Sequence, residues 1–294
     1  MDCRRFVMLA AAALPFAGSA PPAFGFDQAP TNEGDEFYKP AVGQPGKDVV
    51  WVPTPDALVQ RMLEQAKVGP EDLVFDLGCG DGKIPIAAAK QFSAVAKGIE
   101  YEPDLAALAR RNAERAGVAD KVEIITGDIF DPPLQERFLR ATVITMYLLP
   151  NLNLRLRPSI LAMRPGTRVV SHAFHMSDWE PDEVFSAEGR EAFFWLVPAN
   201  ATGRWKLQAE SGWEGTIELA QRFQRVGGTL RIKGRSQPLL GPDLRADVLG
   251  FTFVDSDGKV RSVRATLHGD RLEGTLRYAR LVTPLTGQRE PGTR

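Results

Sequence analysis

The chain has 294 residues, enough for one medium domain and a smaller one, each able to bury its own core. Its 36 basic and 37 acidic side chains nearly cancel, which excludes a generic polyanion partner such as nucleic acid or an anionic membrane surface. Cys3 and Cys79 are its two cysteines, so a disulfide framework is excluded as well.

Residues 1–25 start with Arg4 and Arg5, continue with an apolar run from Phe6 to Ala17 and end in small residues at Ala23 and Gly25. This is the pattern of a secretory signal peptide, with an uncleaved N-terminal anchor as the alternative. The arginine pair loosely resembles a twin-arginine signal without its usual spacing. The expectation is an exported, periplasmic protein whose mature chain has no transmembrane span. Residues 26–47, rich in Pro, Gly and charge, read as an extended leader.

From Asp48 to Asn200 buried strands alternate with amphipathic helices. Thr54-Pro55 reads as an N-cap followed by a proline at the first helical position, opening a helix with Leu58, Val59, Met62, Leu63 and Ala66 on one face. LVFDL (73–77), AVAKGIE (94–100), VEIIT (122–126), ATVITMY (141–147) and TRVVSHAF (167–174) are strand-like. Helical patterns run from Lys83 to Phe92, from Pro103 to Ala116 and within Leu152 to Met163. This predicts an α/β, doubly wound, Rossmann-like parallel sheet. After Ala201 the helical period gives way to short alternating stretches separated by Gly- and Asp-rich turns, which predicts a small antiparallel β domain, sandwich or barrel, over 201–286. Residues 287–294, GQREPGTR, read as a disordered tail.

In an open α/β sheet the ligand crevice lies at the carboxyl ends of the strands. After LVFDL comes Gly78-Cys-Gly-Asp-Gly82, a turn whose glycines allow positive φ and close backbone approach at the start of a helix. Dinucleotide enzymes carry glycines here too. However, Lys83 stands where their third glycine would be, and Asp76 places a carboxylate where an ammonium can be held but a pyrophosphate would be repelled. Glu100, ending the second strand, can accept from both ribose hydroxyls, and Asp128 with Ile129 after the third strand can pair with an adenine edge. Asp76, Gly78, Gly80, Asp81, Gly82, Glu100, Asp128 and Ile129 are therefore the candidate cofactor residues, and S-adenosylmethionine (SAM) the expected cofactor. Asp76 and Asp128 have a structural alternative, as caps of the neighbouring helix or turn.

These segments resemble the class I, seven-stranded SAM methyltransferases, through VFDLGCGDGKIPIAAA, GIEYEPDLAALARRNA and TGDIF. A closer resemblance spans about Asp48 to Val197, through Val52-Pro-Thr-Pro55, DLGCGDGKI, the segment after the fourth strand, and RVVSHAF with DWEP. It is to the mitochondrial protein-lysine methyltransferases of the ATP synthase c-subunit and the adenine nucleotide translocase, and their bacterial relatives. The resemblance implies SAM as methyl donor and a protein lysine as acceptor. The chain departs from the mitochondrial members in its N-terminal segment and in the β domain after Ala201.

The expected acceptor channel is Pro53, Thr54, Tyr147, Leu149 and Pro150, with Tyr147 the one candidate for orienting an amine, or else an ordinary packing residue. Cys79 reads as a small turn residue rather than a nucleophile, His172 and His175 as structural histidines, and no cluster has metal-ligand spacing. Trp179 with Asp178, Glu180 and Asp182 reads either as an entrance for a basic peptide or as a solvated loop anchored by a tryptophan. An exported, non-catalytic SAM-fold binding protein and an NAD-dependent oxidoreductase are the competing readings, the second disfavoured by Lys83 and Asp76.

Overall fold

A computed structural model describes residues 34–293, so the signal-peptide reading falls outside the described residues. The first sheet contains β1 (Leu73–Leu77), β2 (Val95–Glu100), β3 (Val122–Thr126), β4 (Val143–Met146), β5 (Arg168–His172), β6 (Glu183–Ala187) and β7 (Arg190–Leu196). Its order is β3-β2-β1-β4-β5-β7-β6, parallel from β3 through β5, with β7 antiparallel to β5 and to β6. Val143 to Met146 are all buried because the central strands are covered on both faces. Helices α1 (Asp56–Gln65), α2 (Lys83–Phe92) and α3 (Pro103–Arg115) contribute Leu58, Met62, Ala88, Ala106 and Ala109 to the core on one face. The opposite core takes Phe138 from α4 (Pro132–Phe138) and Leu152, Leu156 and Ile160 from α5 (Pro150–Leu161).

Several elements depart from the sequence reading. Thr54 is not an N-cap: Pro55 precedes the helix, and the Thr54 hydroxyl lies 3.0 Å from His172 Nδ1 instead. Helix α4 was not anticipated, because its seven residues include two prolines; these occupy the first turn, where a missing N–H costs nothing. Helix α5 likewise begins on a proline, Pro150, two residues earlier than expected. The β6–β7 hairpin, turning at Glu188-Gly189, completes the sheet.

The second sheet is antiparallel and nine-stranded: β8 (Gly203–Ala209), β9 (Glu214–Arg222), β10 (Arg225–Ile232), β11 (Arg235–Pro238), β12 (Leu240–Arg245), β13 (Val248–Val254), β14 (Val260–His268), β15 (Arg271–Tyr278) and β16 (Leu281–Arg289). First and last strands pair, β8 with β16. Strands β11 and β12 run on through Leu239 without a turn, the first half paired with β10 and the second with β13. The Leu239 N–H donates to Gly228 O at 3.0 Å, so this bent strand draws the sheet into a barrel. Alternation along β8 sends Trp205, Leu207 and Ala209 inward, to a core shared with Ile217, Leu249 and Phe253.

The tail is a correction. Gly287, Gln288 and Arg289 belong to β16, and Arg289 is buried, its guanidinium 4.3 Å from the Trp205 ring centroid. It donates to Asn200 O at 2.5 Å and Gly269 O at 3.1 Å and pairs with Asp270 at 2.9 Å. The polar composition of GQREPGTR hid this, since an outer barrel face needs no apolar residues and a paired, stacked arginine can be buried.

Candidate active site

Strand order reverses around β1, which lies between β2 and β4, and the crevice opens at the carboxyl ends of these strands. A cavity of about 570 Å³ is found there. Gly78, Gly80 and Gly82 have φ of 81°, 56° and 84°, so the turn after β1 requires glycine. A Cβ on Gly80 would sit 2.8 Å from Trp51 Nε1, so the indole lies directly on this turn. Cys79 packs against Gly98, where a Cβ would fall 2.4 Å from Sγ; burial pushes its thiol well up, and it offers no nucleophile.

Beneath the turn are three buried carboxylates. Register places Asp76 beside Thr145, whose hydroxyl donates to Asp76 Oδ1 at 2.7 Å. Burial raises the Asp76 carboxyl to about 7, helped by the negative charges of Glu100 and Asp81. Asp81 rises to about 6 through burial, and its Oδ2 has no hydrogen-bond partner in the protein. Glu100 is raised by burial too; its two oxygens accept the Gly80 N–H at 2.8 Å and the Glu102 N–H at 2.9 Å, which fixes the carboxylate's orientation. A site that collects this much negative charge out of water is built for a cation.

Asp128 is partly occupied. One oxygen accepts the Phe130 N–H at 2.9 Å and the other pairs with Lys47. Burial pushes this carboxyl upward, but the Lys47 ammonium and the Phe130 N–H outweigh it and leave it below its ordinary value. Lys47 belongs to the segment 44–54, which crosses the crevice like a strap and lines the cavity along its whole length. This corrects the reading of the leader: its described part is pinned, with Asp35 paired to Arg111 and Arg115, and Pro45 bridged to Val50. Lys83 fastens the far end of the strap, donating to Thr54 O at 3.0 Å and pairing with Asp56 at 2.8 Å.

The other end of the cavity is apolar. Tyr147, Leu148, Leu149, Leu152, Phe174 and Pro53 line it. The Tyr147 ring lies on His172, centroids 3.8 Å apart, and 6.2 Å from Phe174. His172 is buried, and burial with the Arg190 charge lowers it to about 4, so the ring is neutral at physiological pH. His175 is exposed and caps its own loop, accepting the Ser177 N–H at 3.0 Å.

Asp76, Gly78, Gly80, Asp81, Glu100, Asp128, Ile129, Pro53, Thr54, Tyr147 and Leu149 thus share one cavity. Two candidates do not line it. Gly82 turns the chain into α2 and abuts α3, where a Cβ would meet Ala109 at 3.1 Å. Pro150 is taken up as the first residue of α5. Sequence reasoning missed Lys47, Trp51 and Phe174; beyond the Pro53-Thr54 end, the signal for the strap was a tryptophan within a Pro/Gly-rich stretch. The acids near Trp179 do not form an entrance either. Trp179 is fully buried, Asp178 pairs with Arg157 and Arg222, Glu180 with Arg225, and Asp182 accepts the Leu196 N–H. Among the described residues no cluster of His, Cys, Asp and Glu could hold a metal ion, and no helix is long and apolar enough to cross a membrane.

Residues 76–183 match the family model of the ANTKMT methyltransferase domain. The chain is 46% identical over 142 residues to a protein-lysine N-methyltransferase of Saccharolobus islandicus, covering 48% of this chain and 86% of that one. It is 32% identical over 146 residues to the mouse adenine nucleotide translocase lysine N-methyltransferase, covering 49% of this chain and 61% of that protein, and so spans about three fifths of it. A solved structure described as an RNA methyltransferase from Salinibacter ruber, in complex with S-adenosyl-L-homocysteine, is 47% identical; the match covers 51% of this chain and 95% of that chain, with a TM-score of 0.48. On the likeness to the Saccharolobus enzyme, which the match covers almost throughout, and on the acidic glycine-floored crevice, the chain belongs to the SAM-dependent protein-lysine N-methyltransferase family.

Proposed function

We propose that this chain transfers a methyl group from SAM to the ε-amine of a lysine in a protein substrate. The observation that carries the reading is one cavity lined both by three buried carboxylates and by the aromatic and aliphatic side chains of Tyr147, Phe174, Leu148, Leu149 and Leu152. The residues fit the cofactor: Asp76 would hold its ammonium, Glu100 its ribose hydroxyls, and Asp128 with Ile129 its adenine edge. Bound SAM supplies an electrophilic methyl on a positively charged sulfur. The chain has to align the amine with that methyl, exclude water, and favour the uncharged amine.

Leu148, Leu149, Leu152 and Phe174 favour the uncharged amine, because apolar surroundings draw a lysine down from its usual ~10.4. The neutral His172 holds the Tyr147 ring in place without adding a positive charge that would repel the incoming lysine. In this reading Tyr147 orients the amine through its hydroxyl. Replacing Tyr147 by Phe is expected to slow methyl transfer while leaving SAM affinity as it is; unchanged transfer removes the tyrosine from this role.

Export, with a periplasmic location, is also proposed, on the strength of the arginine pair and apolar run in residues 1–25. Cell fractionation of the full chain and of a chain lacking residues 1–25 tests it; a cytosolic full chain would overturn it.

A further inference from the structure

No residue of the barrel lines the cavity. The barrel's β9–β10 hairpin, Arg222-Phe-Gln-Arg225, lies against the loop that follows β5, and the second residue of that loop, Phe174, lines the cavity beside Tyr147. The loop is conformationally unusual: Ala173 and Ser177, neither of them glycine, have φ of 63° and 55°. Residues in this region persist only where the surroundings hold them.

Two sets of contacts do so. Near Phe174 the holders are local: its carbonyl accepts the Ser171 hydroxyl at 2.6 Å and Asn153 Nδ2 at 3.1 Å. At the far end they come from the barrel. Arg222 pairs with Asp178 at 2.8 Å, and Gln224 donates to Glu180 O at 2.6 Å. Arg225 pairs with the Glu180 carboxylate. The Phe223 ring stacks on Trp179, centroids 5.9 Å apart at 20°. Arg157 of α5 joins the two ends: it donates to Met176 O at 3.0 Å, pairs with Asp178, and lies 5.4 Å from the Phe223 ring centroid.

We infer that the barrel is a positioning module for the acceptor side of the site, acting through Arg222 and Phe223 on the loop 173–180 and hence on Phe174. The inference rests on the methyltransferase reading of the cavity. None of the hairpin's residues lines the cavity, and Asp76 and Glu100 are held by Thr145 of β4 and by the glycine turn. Loosening the loop therefore affects the acceptor and spares the cofactor. The outer contacts are exposed ion pairs of small individual weight, so the stacked Phe223 carries most of the effect.

The test uses the full chain with Phe223→Ala, Arg222→Ala/Phe223→Ala, and Arg222→Lys as the conservative control. SAM is the cofactor probe and poly-L-lysine the acceptor probe. The double variant is expected to need about five- to tenfold more acceptor for half-maximal transfer, with SAM affinity within about twofold of the parent and the lysine control unaffected. Amide hydrogen exchange of residues 174–178 is expected to accelerate about tenfold or more while that of residues 76–82 stays put. Equal loosening of both segments, or a parallel loss of SAM affinity, would mean a general structural role and overturn the proposal, as would unchanged exchange at 174–178. Should the parent chain methylate no lysine, the failure lies with the lysine reading, and hydrogen exchange still decides the hairpin's role.

Discussion

At the scale of single residues the site is governed by Asp76. Its carboxyl is raised to about 7 by burial, so its protonation competes with a bound cation as pH falls. An ammonium in contact with it favours the charged form, so SAM binding is expected to weaken as pH falls from 8 to 6. The sign for stability is the reverse. A carboxyl raised in the folded state favours folding most below its unfolded value near 3.8, and this contribution is lost as pH rises through about 7. The increase in melting temperature produced by saturating SAM should therefore be larger at pH 8 than at pH 6; an equal increase at both would show that Asp76 does not meet a cation. Asp76→Asn keeps the shape and removes the charge, and should weaken SAM by roughly 100-fold, the loss of about 3 kcal/mol expected when one partner of a buried charge pair is removed. Calorimetric titration measures it directly, and a change under threefold would contradict the assignment.

Elements show where local sequence sufficed. Asp76, Glu100 and Asp128 could be read in order because each lies at or just past the carboxyl end of a strand of strong apolar pattern, and parallel strands bring those ends to one edge. Of the strap 44–54 the sequence showed the end at Pro53 and Thr54; the rest was illegible for the opposite reason. It has no period, and what orders it comes from distant parts of the chain: Asp128 for Lys47, the glycine turn for Trp51, His172 for Thr54. Gly80 was readable as a turn glycine, but not as the floor under an indole. Trp51→Ala is expected to weaken SAM about tenfold, mainly through faster release, with a modest fall in melting temperature because the side chain is partly buried against the glycine turn. Stopped-flow fluorescence checks this, and unchanged release would mean that the strap does not retain the cofactor. Helix α4 and the hairpin β6–β7 escaped for simpler reasons, the first being short and proline-led, the second following the last parallel strand without a helix between.

For the whole molecule, the division near Ala201 was visible as a change of period from helical to alternating. The choice between sandwich and barrel was not, since it depends on β8 pairing with β16 at the other end of the domain. Arg289 marks that closure. Deleting residues 288–294 takes away its contacts with Trp205 and Asn200 and should lower stability by roughly 2–3 kcal/mol, as expected when charge-assisted hydrogen bonds to carbonyls and a stacked cation are lost. Thermal unfolding followed by tryptophan fluorescence would register the loss, whereas a disordered tail could be deleted without consequence. The loop after β5 meets the barrel through Trp179 and Phe223; of the two sequence readings of this loop the solvated one anchored by a tryptophan fits, and its exposed acids serve as clasps.

The central claim is that the acidic crevice holds the methyl donor and the apolar end admits a lysine. It is tested most directly by incubating the purified full chain with isotopically labelled SAM and an extract of cell-envelope proteins, then identifying the labelled residue by mass spectrometry. Label on the ε-nitrogen of a protein lysine, abolished by Asp76→Asn, is the expected result. Label confined to RNA, lipid or a small molecule, or no transfer despite tight SAM binding, would contradict it.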